Sequence, residues 1–204
     1  MSLTPVAAEQ LAAVVTTLEM CALPEGLEIP PSPLQLDRRE RIAPDDYRTL
    51  FSLVGAPWLW FSRLVMSDAE LCTILHDDAV ELFAVVDTAG AQVGMLELDF
   101  RTTGECELAF LGLVPALAGQ GHGRWLLAQA VTRAWRPGVT RIHVHTCTLD
   151  HPAALAAYRR TGFTAIGRAV EQFADPRLAG LLPADCAPHI PLLGTPVAAA
   201  TRCA

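Results

Sequence analysis

The amino-acid sequence predicts an α/β (α+β) fold, a mixed sheet with helices on both faces. Three observations predict it. Short apolar or alternating runs bounded by turn residues recur through the chain and read as strands. Two of them, residues 80–87 and 92–100, flank Thr88-Ala89-Gly90-Ala91 as a hairpin. Other runs are separated by stretches with helix start and stop signals. The resulting order is strand, helices, a meander of strands, helix, strand, helix, strand. At 204 residues, with 51% hydrophobic and 18% charged residues, the chain fits one globular domain with a sizeable core.

Taken in order, Thr4-Pro5 is an N-cap followed by proline at the first helical position, which predicts a helix over residues 5–14. The β-branched stretch at residues 14–20 reads either as a strand or as more helix. Residues 24–33 hold four prolines and are a loop. Residues 1–33 are therefore expected to be an N-terminal extension appended to the core. Residues 34–41 read as the first core strand. Pro44 opens a helix to about Val54, with Gly55 as its stop. Trp58, Trp60 and Phe61 follow, either as a core plug or as the wall of a pocket. Ser67 with Glu70 is a capping box for a helix to about His76. After the hairpin, Thr103-Gly104 makes a turn into a strand at 105–114. The remaining elements are a helix at 124–135, a strand at 140–146, a helix at 152–161 and a strand at 163–173. The domain is thus expected over 34–173. Residues 174–204 are expected to be a surface tail, with a short turn of helix near 176–182.

The chain centres on Gly119-Gln120-Gly121-His122-Gly123-Arg124. Glycine at every second position removes Cβ atoms and lets amide N–H groups converge on one anion. The strand ending at Pro115 precedes this loop and a helix follows it. A glycine loop at a helix N-terminus binds phosphate, because unpaired N–H groups and the positive end of the dipole face the ligand. A Walker loop needs Gly-Lys-Ser/Thr, and the chain has no lysine. A dinucleotide fingerprint needs Gly-x-Gly-x-x-Gly after an early strand, and here the spacing is Gly-x-Gly-x-Gly, late in the chain.

The loop from Ala118 to Gly123 resembles the acetyl-CoA loop Arg/Gln-x-x-Gly-x-Gly/Ala of the GCN5-related N-acetyltransferase (GNAT) superfamily. Ala118 replaces the usual Arg or Gln, which removes a side chain but no backbone donor. The run from His151 through Ala154 and Tyr158 to Gly162-Phe163 is similar to the family's Asn-x-x-Ala-x-x-x-Tyr-x-x-x-Gly-Phe signature, with His151 in the Asn place. The likeness is greatest to a bacterial branch with a His-Thr-Cys-Thr-Leu-Asp-His-Pro stretch and no firm substrate. It implies a mostly antiparallel sheet whose two central strands splay to admit the pantetheine arm. It further implies acetyl-CoA as co-substrate, and an N-acetyltransferase moving the acetyl group to a primary amine by direct attack in a ternary complex. A homodimer is the family's common outcome. A non-catalytic acyl-CoA-binding or sensor domain is the alternative, motivated by Ala118 and His151.

Acetyl transfer needs a base for the amine, polarisation of the thioester carbonyl, and a proton for the leaving thiolate. Glu107 is the candidate base: it sits in an otherwise apolar strand, where burial is expected to raise its pKa. Its offset from the glycine loop also matches the base of GCN5-like histone acetyltransferases. The bland alternative is a carboxylate facing solvent or holding an arginine; Glu105 is a lesser candidate. Tyr158, placed by the family signature, is the candidate acid, because a phenol stays protonated yet can donate to a thiolate; otherwise it anchors its helix in the core. By resemblance, a backbone N–H of Leu111, Gly112 or Leu113 polarises the carbonyl. The pyrophosphate is expected on amides of Gly119, Gln120, Gly121, His122, Gly123 and Arg124. Arg124 adds a charge or is merely solvated, and His151 touches the cofactor or caps its own helix. Trp58 and Trp60 are expected to border the acceptor. Glu97 and Asp99 bind the amine, relay a proton or face solvent. His143, His145 and Cys147 alternate on one strand face, but no spaced second pair completes a zinc site, and no metal is expected.

A net charge of −7 argues against nucleic acid or an anionic membrane as partner and suits an amine acceptor, small molecule or peptide. No apolar run reaches membrane-spanning length, and residues 1–5 lack a basic leader, so a cytoplasmic protein is expected. Six cysteines without a Cys-x-x-Cys pair read as reduced thiols.

Overall fold

The computed structural model describes residues 3–194. Met1, Ser2 and residues 195–204, with Cys203 and the end of the expected tail, lie outside the described residues. The elements run β1 (Gln10–Met20), β2 (Gln35–Arg38), α1 (Pro44–Gly55), α2 (Asp68–Leu75), β3 (Val80–Val86) and β4 (Gln92–Asp99). They continue with β5 (Glu105–Leu113), α3 (His122–Ala134), β6 (Arg141–Cys147), α4 (Ala154–Arg160) and β7 (Thr164–Ala174). The strands form one sheet in the order β2-β3-β4-β5-β6-β1-β7. Every neighbouring pair is antiparallel except β5 with β6.

The alternation of side chains divides the core between the two faces. On one face Phe83, Val85, Leu96, Leu98, Ile142 and Val144 pack under Trp125, Leu126, Ala130 and Val131 of α3 and Tyr158 of α4. On the other, Leu82, Ala84 and Met95 pack under Tyr47, Leu50, Phe51 and Val54 of α1 and Leu71 and Leu75 of α2. The expected helices on both faces are therefore present. The capping box forms as well: Ser67 Oγ accepts from the Glu70 amide at 3.3 Å, and Glu70 accepts from the Ser67 amide at 2.8 Å. Gly55 is the last residue of α1 and is there for packing, since a Cβ would stand 2.6 Å from Trp60.

The largest departure from the sequence reading is at the N-terminus. No helix forms over residues 5–14. Instead β1 lies inside the sheet, paired with β6 on one side and β7 on the other. The stretch expected to be an appendage thus supplies an inner strand. Its β-branched run and its alternating buried Thr16, Leu18 and Met20 satisfy two sheet edges at once, which outweighs the local Thr4-Pro5 helix signal. At the other end, residues 176–182 form turns rather than a helix. They are pinned by a buried Asp175–Arg177 ion pair at 2.7 Å, and Leu182 and Ala187 pack with Ala13, Leu59 and Leu149.

Candidate active site

Only three residue pairs join β5 to β6, the last being Glu107 with His143; beyond it the two strands part. The gap opens into a cleft of about 1160 Å³ that runs between Leu111–Leu113 on one side and His145, Thr146 and Cys147 on the other. The expected splay between the central strands is this gap. Val114 donates its amide to Val93 O at 2.9 Å, toward β4. Because alternate residues of a strand send their amides to opposite edges, those of Leu113 and Leu111 point the other way, into the gap. Gly112 is required for packing: a Cβ would stand 2.7 Å from Val54 Cγ1 and 3.3 Å from the Trp60 ring.

At one end of the cleft the glycine loop meets the start of α3. Gly119 and Gly121 adopt left-handed φ of 76° and 83°, a conformation that favours glycine. Nothing lies within 4 Å of where a Cβ would stand at Gly119, Gly121 or Gly123, so a ligand can approach the main chain. Among the described residues, the amides of Gly119 through Gly123 have no internal acceptor. The Arg124 amide differs from expectation, because it donates to Gly121 O at 3.1 Å. Two side chains of the loop turn away from the cleft. Gln120 donates to Ala116 O at 2.9 Å, and His122 Nδ1 lies 3.1 Å from Ser32 Oγ, so each can contribute only its amide. The side chains of Arg124 and Arg160 line the cleft. The loop at residues 24–28 forms its opposite lip.

Tyr158 lines the same cleft from α4 and is 8% exposed. Burial, and then the negative charge of Asp150, pushes its phenol well above the usual tyrosine range, so it stays protonated. Trp58 and Trp60 also line the cleft. Trp60 packs against Phe51 and Phe110, and its indole N–H donates to Asp150 at 3.1 Å. Asp150 also accepts from Thr146 Oγ1 at 2.9 Å and the Cys147 amide at 2.8 Å. That one carboxylate fixes both the tryptophan wall and the end of β6. His151 lines the cleft; its Nδ1 accepts from the amide of Ala153, the residue before α4, at 3.1 Å, while its ring meets Trp58 edge-on.

The carboxylates correct the sequence reading. Glu97 does not face solvent. It is completely buried, accepting from Tyr47 OH at 2.5 Å and from Arg63 at 2.6 Å. Burial, and then the Glu97 charge, pushes the Tyr47 phenol far up. Asp99 is engaged by Arg101. Burial works to raise its pKa, but the hydrogen bonds from Arg101 outweigh that and hold it below the usual carboxylate range.

Glu107 is not in the main cleft but beside it, in a smaller hollow with Asp99 and His143. Its side chain is 38% exposed, and Oε1 lies 3.4 Å from Nδ1 of His145. The His145 contact outweighs burial and holds Glu107 below the usual range, the reverse of the expected rise. The same contact raises His145. Donor atoms of Glu107, His143 and His145 lie within 4.8 Å of one another, a grouping the sequence reading missed because the glutamate comes from the neighbouring strand. The spacing of β6 brought out the two histidines, but only the β5–β6 register brings Glu107 to them. Asp150 and Glu171, the latter on the cleft wall from β7, carried no signal in the sequence that pointed to the site.

A family model described as "Acetyltransferase (GNAT) family" matches residues 45–163. No curated protein matches the chain. Among solved structures, a GCN5-related N-acetyltransferase from Sphaerobacter thermophilus is similar with a TM-score of 0.54 and 18% identity over 80% of this chain. The match spans only 52% of that protein's length. An aminoglycoside acetyltransferase from an uncultured soil metagenomic sample, in complex with sisomicin, gives 0.53 and 18% over 68% of this chain and 93% of the other. A mutant spermidine N-acetyltransferase from Vibrio cholerae gives 0.51 and 20%, over 72% and 96%. At these identities the structures speak to the fold alone, and it is the family model, covering more than half of the sequence, that shows the chain to belong to the GNAT acetyltransferase family.

Proposed function

We propose that the protein is an N-acetyltransferase that moves the acetyl group of acetyl-CoA to a primary amine within a ternary complex. The observation that carries this reading is the run of unpaired amides from Gly119 to Gly123 at the head of α3, opening onto the cleft that leads past Leu111 and Leu113 to Tyr158. The pyrophosphate sits on these amides, favoured by the helix dipole, with Arg124 and Arg160 alongside. The pantetheine arm fills the gap between β5 and β6. One of the amides of Leu111 and Leu113 polarises the thioester carbonyl as it becomes tetrahedral. Tyr158 donates to the departing thiolate, and burial keeps its phenol protonated up to that step.

The acceptor enters between the tryptophan wall and β6. Glu171 on that wall and the net charge of −7 favour a cationic amine. The structural neighbours named for aminoglycosides and for spermidine make those two classes the first amines to try. We take the chain from β1 to Ala187 as one unit, because β1 pairs within the sheet and Ala187 packs with Ala13 of β1, and we place the protein in the cytoplasm. The test has two stages. Acetyl-CoA in excess should raise the melting temperature, and the loaded protein should release free CoA with at least one amine of a panel containing spermidine and sisomicin. No thermal shift at millimolar acetyl-CoA would sink the reading. A shift without CoA release from any amine would leave an acyl-CoA-binding domain in its place.

A further inference from the structure

The geometry points to His145 as the proton acceptor of the transfer, with Glu107 as the residue that positions and polarises its ring; this rests on the acetyltransferase reading above. His145 stands two residues past the last β5–β6 pair, at the root of the splay. Its side chain is 48% exposed and lines the cleft, whereas Glu107 does not line it. The carboxylate therefore reaches the cleft through the imidazole. With Nδ1 lying 3.4 Å from Glu107 Oε1, the neutral ring that carries its proton on Nδ1 leaves the Nε2 lone pair free. The ring nitrogens sit on opposite sides, so this lone pair is directed away from Glu107.

Charge around the ring supports the assignment. From β5, Glu107 faces it directly, while Glu105 lies 3.5 Å from His143 Nε2. From β6 itself, His143 stands beside it with ring centroids 5.9 Å apart, and Arg141 works against protonation. Arg141 is itself engaged by Glu19 of β1 and Glu105. The β1 residue across from His145 is the uncharged Thr17, and β7 contributes Glu171 to the cleft. The Glu107 contact prevails and raises the imidazole above its usual value, which makes it a stronger proton acceptor. A carboxylate held below its usual range is a poor acceptor for an amine proton by comparison.

The step balances as follows. The neutral amine nitrogen attacks the carbonyl carbon, forming the C–N bond. Its proton passes to Nε2 of His145, and the resulting imidazolium faces Glu107. The C–S bond breaks, and the thiolate takes the phenolic proton of Tyr158. Exchange with solvent returns His145 and Tyr158 to their starting states.

The test compares His145→Gln and Glu107→Gln with the wild-type protein, using the best amine from the spermidine and sisomicin panel. His145→Gln should lower kcat/KM at neutral pH on the order of 100-fold, with the thermal shift by acetyl-CoA kept. Glu107→Gln should move the acid limb of the kcat/KM profile to lower pH and keep most of the plateau. A loss at every pH in Glu107→Gln, with His145→Gln unimpaired, would make the carboxylate the base and overturn the proposal. A second arm needs no acceptor. The His145 imidazole, followed by NMR, should titrate at lower pH in Glu107→Gln, and an unchanged titration overturns the pairing. Stoichiometric zinc binding that His143→Ala abolishes would make the trio a metal site and likewise overturn it. Absence of turnover with every amine, despite a thermal shift by acetyl-CoA, removes the base role together with the transferase reading, even where the titration reveals the pair.

Discussion

The protein has two tyrosines, and they live in opposite circumstances on the two faces of the sheet. Tyr47 is completely buried, with its hydroxyl committed to Glu97, which in turn holds Arg63. Tyr158 is nearly as buried, yet it borders the cleft. The glutamates divide in the same way. Glu97 is sealed between two donors, while Glu107 is part exposed and leans on one titratable partner. Burial raises both phenols, so a shifted pKa does not distinguish brace from reagent. The distinction lies in what each group still has free. In the brace both Glu97 oxygens and the Tyr47 hydroxyl are engaged with one another or with Arg63, whereas Tyr158 keeps an open side toward the cleft.

The comparison is broken or sharpened first at the brace. Glu97→Ala leaves the Arg63 charge and the Tyr47 hydroxyl buried without their partner, and should cost about 3 kcal/mol or more in chemical denaturation. Glu107→Gln, by contrast, should stay within about 1 kcal/mol of wild type. Equal losses would mean the two carboxylates do the same job. Next come the phenols. Tyr158→Phe should slow turnover on the order of 100-fold while acetyl-CoA still stabilises the fold. Tyr47→Phe should cost about 1–2 kcal/mol of stability and leave turnover nearly unchanged. The reverse pattern in steady-state kinetics would exchange their roles.

The smallest effect is the pH dependence of the Glu107–His145 contact. His145 is raised, so its contribution is fully present below the unfolded histidine value of 6.5 and fades as pH rises through its folded pKa. Glu107 is lowered, so its contribution is present above the unfolded value of 4.5 and fades as pH falls through its folded pKa. The two describe one interaction, strongest between those values. With both side chains more than a third exposed, it should amount to less than about 1 kcal/mol. The stability difference between wild type and Glu107→Gln should peak in that window and shrink on either side; a difference that grows toward alkaline pH would exclude the pair.

The glycine-loop half of the candidate site was legible in the sequence because it is made of backbone. Glycines at 119, 121 and 123, and the proline that ends the strand before them, declare their conformations locally. Tyr158 was legible through the spacing of its helix signature. The contacts that escape such local reading are between side chains that meet across elements: Asp150 with Trp60, Tyr47 with Glu97, Glu107 with His145. Nothing in the local pattern of Leu96-Glu97-Leu98 says that a tyrosine fifty residues earlier caps the carboxylate. The same reason hid β1. Its composition allowed a strand or a helix, and only the open edges of β6 and β7 decide between them.

The central claim is that main-chain hydrogens of the glycine loop grip the diphosphate of acetyl-CoA. Amide NMR of the protein titrated with acetyl-CoA tests it most directly. The resonances of Gly119, Gln120, Gly121, His122 and Gly123 should shift strongly and together, with Leu111 and Leu113 following and Arg124 moving less because its amide already has an acceptor. Saturable binding that leaves those loop amides unmoved, while resonances elsewhere respond, would contradict the account.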